Sequence, residues 1–392
     1  MNAGDELNLF RTAGRRSLIV GLACVGVMLV GLCFSRQQFF RAYLAAYTTI
    51  LGITIGSMLL VMLHHLVGGA WGVLIRRIAE AAGCTIPLLA VLFVPIAIGF
   101  RWLYPWARID EVMADPILLH RQHMFNVGAI VLRAVIYFAI WTFWAWRLRS
   151  NSLKQDRSDD PALSARARKL SGSGLVVFFI IVSLAAVDWI ASREPHWYSS
   201  VFGLLVVVGQ GTAAISFALA MLALLSPRTS LGDITLPDSL HDLGNLLLTI
   251  VILWAYISFS QFLVIWIGNS TEDNIFFVHR SVGIWRVVGA CLILLHFALP
   301  FLLLLNQGAK RNLRALGAIA AGVLVLRFVN SLWLVAPSSS DAIPGSLNWL
   351  DLFAPFAIGG FWLFFFFKVL SCSPLVPCVR ESLPAPLTGA RI

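Results

Sequence analysis

Long apolar stretches alternate with short polar segments along the whole chain. A membrane helix needs about 20 apolar residues, and ten stretches reach that length. Their apolar positions are continuous, and a helix satisfies its own backbone hydrogen bonds in lipid. The pattern therefore predicts an all-α, polytopic transmembrane helix bundle with about ten spans. The predicted spans are 17–34, 43–65, 83–103, 124–147, 172–191, 199–225, 243–267, 281–305, 313–335 and 350–370.

The composition agrees with this pattern. Of the 392 residues, 59% are hydrophobic and 12% are charged, and the mean hydropathy is +0.84. A soluble domain of this size has too little interior to bury so much apolar surface, whereas a lipid bilayer solvates it. The net charge of +10 would also suit a nucleic-acid partner. Because the positive residues lie between the apolar stretches, we expect the bilayer as the partner and no nucleic acid.

The distribution of lysine and arginine predicts the orientation of the spans. If the N-terminus is cytoplasmic, the inner segments hold 19 of these residues and the outer segments hold 7. Cytoplasmic loops are enriched in positive residues, so both termini are predicted to be cytoplasmic. Residues 1–370 form one predicted membrane domain, with a polar linker at 148–170. The proline-rich segment 371–392 is a predicted disordered tail on the cytoplasmic side.

A predicted polar cluster lies in the outer half of the membrane. Charged groups inside a membrane are costly and mark functional sites by default. The alternative is that they form ion pairs that only hold helices together. The sequence leaves open which arginine pairs with the one acid. The cluster comprises Asp188, Arg133, Arg286 and Arg327, with the amides Asn126 and Gln261.

The segment DWIASREPHWYSS, residues 188–200, adds two more titratable groups at the outer end of span 5. Glu194 and His196 follow Asp188 closely, and histidine changes charge near neutral pH. The segment is either a membrane-surface loop or a proton or quinol site. We take the second reading as the hypothesis, with Asp188, Glu194 and His196 as its residues.

A second polar group precedes span 7 on the predicted inner side, in the segment PDSLHDLGNLLL. Either Asp242 or Ser239 is a candidate helix cap, which is a common role for such residues. The alternative is a proton entrance formed by His241 and Asp242.

Cysteine and histidine spacing argues against a redox metal on this chain. None of the six cysteines forms a C-x-x-C or C-x-x-C-H motif, so neither covalent haem c nor a cysteine-ligated iron–sulfur cluster is expected. His64 and His65 are adjacent and point in different directions on a helix, which disfavours a shared haem. We predict no metal site and no cofactor held by this chain.

Several segments, in order, resemble the F-subunit family of bacterial alternative complex III, which belongs to the NrfD-like membrane subunits. The resemblance covers about residues 35–300, and its specific blocks are EPHWYS and the HDLG to WAYISFSQ stretch. The other blocks are mainly apolar. They are QQFFRAYLAAYTTILGITIGSMLLVMLHHLVGGAWGVLIRRIAEAA, IPLLAVLFVPIAIGF, FNVGAIVLRAVIYFAIW and FFVHRSVGIWR.

The resemblance implies two pseudo-repeated four-helix bundles, spans 2–5 and spans 6–9. It also implies a subunit of a respiratory quinol:cytochrome c or quinol:oxidase complex in the bacterial inner membrane. The subunit would contribute to quinol binding, to transmembrane proton transfer, or to both. Haem c and iron–sulfur clusters would lie on partner subunits, alongside a homologous NrfD-like subunit.

The family pattern of functional residues falls on seven positions of this chain. The sequence departs from that pattern after Asn126, where Val127-Gly128-Ala129-Ile130 stands instead of Pro-Phe-Phe, and at Arg193, which is usually leucine. The homologous partner is therefore expected to carry the principal quinol site. The seven positions are Asn126, Arg133, Asp188, Glu194, His196, His241 and Asp242.

Two other functions remain open at this point. The first is a purely structural anchor that holds redox subunits at the membrane. The second is a secondary transporter, although such proteins commonly have inverted repeats and broken helices around a central site.

Overall fold

The computed structural model describes residues 3–158, 160–337 and 347–376. Within these ranges the chain is helical, has no strand, and contains ten helices long and apolar enough to cross a membrane. The predicted all-α, ten-span architecture is confirmed. The helices are α1 (Gly4–Phe34), α2 (Arg36–Val67), α3 (Ala70–Ile98), α4 (Val127–Gln155), α5 (Pro161–Arg193), α6 (Phe202–Arg228), α7 (Pro237–Gly268), α8 (Gly283–Leu305), α9 (Leu313–Val335) and α10 (Trp349–Leu370).

Two of the ten helices are interrupted. In α3, two breaks lie just before Pro87 and Pro95, since proline cannot donate a backbone hydrogen bond. In α8, the segment Leu292–Ala298 is a π-helix, followed by Pro300 in the next turn. Short helices connect the spans at Phe100–Leu103, Pro105–Ala107, Ile109–Ala114, Pro116–His120, Leu231–Ile234, Thr271–Arg280 and Gln307–Arg311.

The polar segments between spans 2 and 5 are more helical than the sequence predicts. Helix α3 begins at Ala70 and not near residue 83. Its Arg77 lies 2.7 Å from Glu80 and also pairs with Asp156, so its charge is compensated inside the protein. Helix α4 continues to Gln155, and α5 begins at Pro161. The connection therefore shrinks from 148–170 to the few residues between these helices. The predicted disordered tail lies outside the described residues beyond position 376.

Helices α2 and α6 pack against each other at the centre of the bundle. Helices α2, α3, α4 and α5 pack together on one side, and α6, α7, α8 and α9 pack together on the other. Helices α1 and α10 form a pair against α2. The grouping has the form expected of two four-helix bundles, while a repeat relationship between them stays a prediction.

Close backbone approach between α1 and α10 depends on Gly360. A methyl group at this position would lie 2.6 Å from the Ser17 carbonyl oxygen and 2.7 Å from the Gly21 nitrogen. Backbone atoms cannot yield without separating the helices, and small residues allow such close packing in membranes.

We expect Gly360→Ala to destabilise the protein by about 1–3 kcal/mol, the usual range for overpacking. The measurement is the thermal unfolding midpoint in detergent. Gly26→Ala is the control, because nothing lies within 4 Å of its added methyl group. Equal midpoints for the two variants would contradict the packing argument.

Candidate functional site

Asp188 lies in the last turn of α5 and is buried. Arg133 of α4 donates two hydrogen bonds to its carboxylate, from Nε at 2.8 Å and from Nη2 at 2.9 Å. Tyr137 donates a third at 2.9 Å. Arg133 and Tyr137 are four residues apart, so they occupy one face of α4. The arginine that the sequence could not assign to Asp188 is therefore Arg133.

Local structure at both helix ends holds this pair in place. The Asn126 side chain caps α4 by accepting a hydrogen bond from the Ala129 amide at 2.9 Å. Arg133 also donates to the Met124 carbonyl just before the cap, at 2.9 Å. At the end of α5, the Ser192 hydroxyl donates to the Asp188 carbonyl at 2.6 Å. Asn126 thus has a capping role next to the Asp188 pair.

A cluster of buried aromatic rings, which we call the aromatic wall, includes Tyr137, the residue that donates to Asp188. Trp189 stacks on Phe138 with ring centroids 5.7 Å apart, and Phe93 lies 5.0 Å from Trp189. The Tyr137 ring lies 6.0 Å from the Trp189 ring. These rings are buried and packed against one another, as offset and edge-to-face aromatic pairs. Tyr137 joins them to the carboxylate through its hydroxyl group.

Three connecting segments cover the end of the bundle at which α5 terminates, namely residues 99–126, 190–201 and 269–282. We call this the Asp188 end. Tyr104 donates to the Trp189 carbonyl at 2.8 Å, and Arg121 donates to the Pro195 carbonyl at 2.7 Å. Arg193 donates to the Leu103 carbonyl at 3.0 Å. The first two segments are thereby fixed to each other, and the first is also fixed to the end of α5, by direct hydrogen bonds.

Glu194 belongs to a buried group that holds the helix Thr271–Arg280. Its Oε1 lies 3.1 Å from His279 Nδ1 and 3.8 Å from Arg280 Nη1. Arg280 also donates to the Leu334 carbonyl at 2.7 Å, and its guanidinium lies 3.6 Å over the Phe276 ring. Burial lowers the pKa of Arg280 to about 9, although the charge of Glu194 opposes this. Glu194 is therefore tied, through Arg280, to the end of α9.

His196 lies at the surface of the Asp188 end and contacts Asp115. Its Nε2 is 2.6 Å from Asp115 Oδ2. Burial raises the pKa of Asp115, but hydrogen bonds from the Ile117 amide and from His196 outweigh burial and hold this pKa below its ordinary value of 3.8. When the pH falls below this lowered pKa, the Asp115 carboxylate of the folded protein takes up a proton and loses these hydrogen bonds.

We expect Asp115 to stabilise the fold fully above about pH 4 and to lose this contribution as the pH falls through its depressed pKa. The measurement is the thermal unfolding midpoint from pH 6 to pH 3, taken in steps of about one pH unit. Asp115→Asn should flatten the acid side of this curve. Asp110→Asn, an exposed acid of the same segment, is the control and should match the wild-type curve. A wild-type slope in Asp115→Asn would contradict the expectation.

His241 and Asp242 lie at the opposite end of the bundle, in the first turns of α7. Helix α7 begins at Pro237 with Leu236 before it, so neither Ser239 nor Asp242 caps the helix. His241 Nδ1 lies 3.3 Å from Asn245 Nδ2, and Lys310 donates to Asn245 Oδ1 at 2.6 Å. Asp242 is exposed. The structure does not bring these two residues to Asp188.

The remaining predicted residues separate into different environments. Arg286 is exposed on α8 and has no ion pair among the described residues. Gln261 is buried on α7 with neither polar atom of its amide hydrogen-bonded to a described residue. Arg327 is buried on α9 and donates to Asn330 at 2.9 Å. Only Arg133 and Asn126 of the predicted polar cluster accompany Asp188.

Sequence reasoning missed four residues of the Asp188 end: Tyr137, Asp115, His279 and Arg280. Tyr137 had a usable signal, because it stands four positions after Arg133. The contact of Asp115 with His196 spans 81 positions, and that of His279 with Glu194 spans 85. No local pattern indicates pairings at such separations.

Ten apolar helices around buried ion pairs define a multi-pass integral membrane protein of the all-α class. No protein-family model matches this chain, and no curated protein sequence matches it significantly.

Proposed function

We propose that this protein is an integral membrane subunit of a respiratory quinol-oxidising complex, in which Asp188 receives a proton from quinol. One observation carries the proposal: a buried carboxylate at one end of the bundle is held by Arg133 and by Tyr137, which also packs in the aromatic wall. The sequence resemblance to the F-subunit family supports the same function.

Quinol oxidation yields quinone, two protons and two electrons. A base must lie within hydrogen-bond reach of each hydroxyl that loses a proton. Asp188 would accept one proton, with Tyr137 orienting its carboxylate, and the second proton would pass to water at the Asp188 end. Protonation of Asp188 weakens its ion pair with Arg133, whose side chain is 26% exposed and opens towards the surface. In this proposal, haem c and iron–sulfur clusters held by partner subunits would supply the electron acceptors.

The orientation proposed for this chain places both termini in the cytoplasm and the Asp188 end on the opposite side of a bacterial inner membrane. The excess of lysine and arginine in the inner segments supports it. A proton taken up by Asp188 would then be released at the outer face, near His196 and Asp115. His241 and Asp242 would face the cytoplasm as a proton entrance.

A photoreactive short-chain quinone tests whether the Asp188 end binds quinol. We expect cross-links in peptides that contain residues 133–141 or 186–197, and we expect excess quinol to suppress them. Asp188→Asn should weaken the labelling. Asp351→Asn should not, although Asp351 is also buried and pairs with Arg41 at 3.5 Å. Labelling that excess quinol leaves unchanged would contradict the proposal.

A further inference from the structure

A second polar site lies between the two helix groups, in a narrow cavity of about 40 Å³. Helices α2, α4, α5, α6 and α9 surround it, and we call it the central cavity. Its walls are mainly apolar and buried. The polar side chains that line it include Thr48, Thr49, Gln210, Arg327, Asn330 and Ser331.

Arg327 is a buried cation without an anionic partner. Its residue surface is 7% exposed, and Nη1 donates to the Asn330 amide oxygen at 2.9 Å. Nε is buried without an acceptor, and no carboxylate lies within ion-pair distance among the described residues. A buried charge left uncompensated destabilises a protein strongly, and an amide oxygen supplies only part of the compensation.

Two features of α6 are fitted to this guanidinium. A methyl group at Gly209 would fall directly on it, so α6 leaves room there for the charged group. Gln210, the next residue, is also buried, and its Oε1 has no partner among the described residues. A flip of that amide would present its NH₂ group to the same space.

The central cavity is separate from the Asp188 site. Trp141 and Trp189 line the cavity and also contact the Tyr137 ring. The Tyr137 ring centroid lies 6.1 Å from that of Trp141 and 6.0 Å from that of Trp189. Asp188 is already committed to Arg133 and Tyr137. The negative charge that Arg327 requires must therefore come from elsewhere.

We propose that Arg327 binds one monovalent anion in the central cavity. The free edge of the guanidinium, Nε with Nη2, offers two parallel donors, which suit a carboxylate or a halide. The low polarity of the walls strengthens this attraction. Two sources supply such an anion: an inorganic halide from solution, or the carboxylate head of a fatty acid from the bilayer. The inference does not depend on quinol oxidation.

Thermal unfolding of the purified protein in nanodiscs tests this site. We expect the midpoint to rise by a few degrees and then saturate when chloride or bromide replaces gluconate at constant ionic strength. A rise with oleate but not with halide would assign the lipid source. Both results support an anion at Arg327. A wild-type midpoint that responds to neither anion overturns the proposal.

Two matched variants locate the response. Arg327→Gln should abolish the anion dependence. Gly209→Ala should weaken it by displacing the guanidinium, whereas Gly211→Ala should keep it, because its methyl group would meet Leu59 at an ordinary 3.6 Å. Equal anion dependence in Gly209→Ala and Gly211→Ala would overturn the assignment to Arg327. If Arg327→Gln fails to fold, anomalous scattering from bromide in wild-type crystals replaces it. A bromide peak at the guanidinium would support the halide. Without that peak, the proposal stands only if oleate raises the midpoint.

Discussion

Asp188→Asn lowers quinol-driven turnover by about 10²-fold or more, the contribution typical of a positioned general base, while the protein still accumulates in the membrane. The asparagine keeps the shape and one acceptor oxygen, to which Arg133 Nε and Tyr137 can still donate, but it loses the acceptor of Arg133 Nη2 and cannot take up a proton. Arg133 tolerates the loss of its counter-charge because its side chain is 26% exposed. The measurement is the initial rate of cytochrome reduction by quinol in membranes with equal amounts of assembled complex.

Asp351→Asn is the matched control for this experiment. Asp351 is buried, pairs with Arg41, and lies at the start of α10 at the same end of the bundle. Its loss should leave turnover within about twofold of wild type, because it does not border the aromatic wall. Normal turnover in well-assembled Asp188→Asn membranes would remove Asp188 from the mechanism.

Arg133→Gln should differ from Asp188→Asn, because its main effect is a loss of protein stability. It leaves the buried Asp188 carboxylate without its cation, and breaking a buried ion pair from one side costs about 3–5 kcal/mol. Because solvent screens the partly exposed arginine, we expect the free energy of unfolding to fall by about 3 kcal/mol, the lower limit of that range. The measurement is chemical or thermal unfolding in detergent.

The double variant Arg133→Gln with Asp188→Asn tests the cause of that loss. Removing the carboxylate removes the uncompensated charge, so the double variant should be more stable than Arg133→Gln alone. The coupling between the two positions should be at least about 1 kcal/mol, as for residues in one network. Purely additive effects would show that the pair does not determine the stability of α4 and α5.

The structural-anchor alternative makes a different prediction for these variants. If the pair only joins α4 to α5, Arg133→Gln destabilises the bundle and Asp188→Asn leaves turnover unchanged. The quinol-site proposal requires a loss of turnover in the more stable of the two variants. A secondary transporter would instead move a solute when the purified chain alone is placed in liposomes.

The sequence was sufficient to predict the ten spans, because each apolar run is continuous and long enough to cross lipid. The predicted helix boundaries were less accurate where a helix continues through charged residues. Arg77 reads as part of an inner loop, yet it lies in helix α3 because Glu80 and Asp156 compensate its charge. Such compensation depends on tertiary contacts that hydropathy does not record.

The depth of a residue along a span follows from its position, whereas the direction of its side chain does not. Arg133, Arg286 and Arg327 share a similar depth in the sequence-based assignment. The structure turns the first to Asp188, leaves the second exposed, and buries the third beside the central cavity. The rotation of each helix is set by packing across the whole bundle, so only the structure separates these three residues.

Purification of the tagged chain from its native membranes in mild detergent tests the central claim most directly. Redox difference spectra and a quinol-oxidation assay are recorded on the eluted material. The account predicts that haem and iron–sulfur subunits purify with this chain and that quinol reduces the cytochrome. A chain that elutes alone, colourless and without quinol oxidation would contradict it.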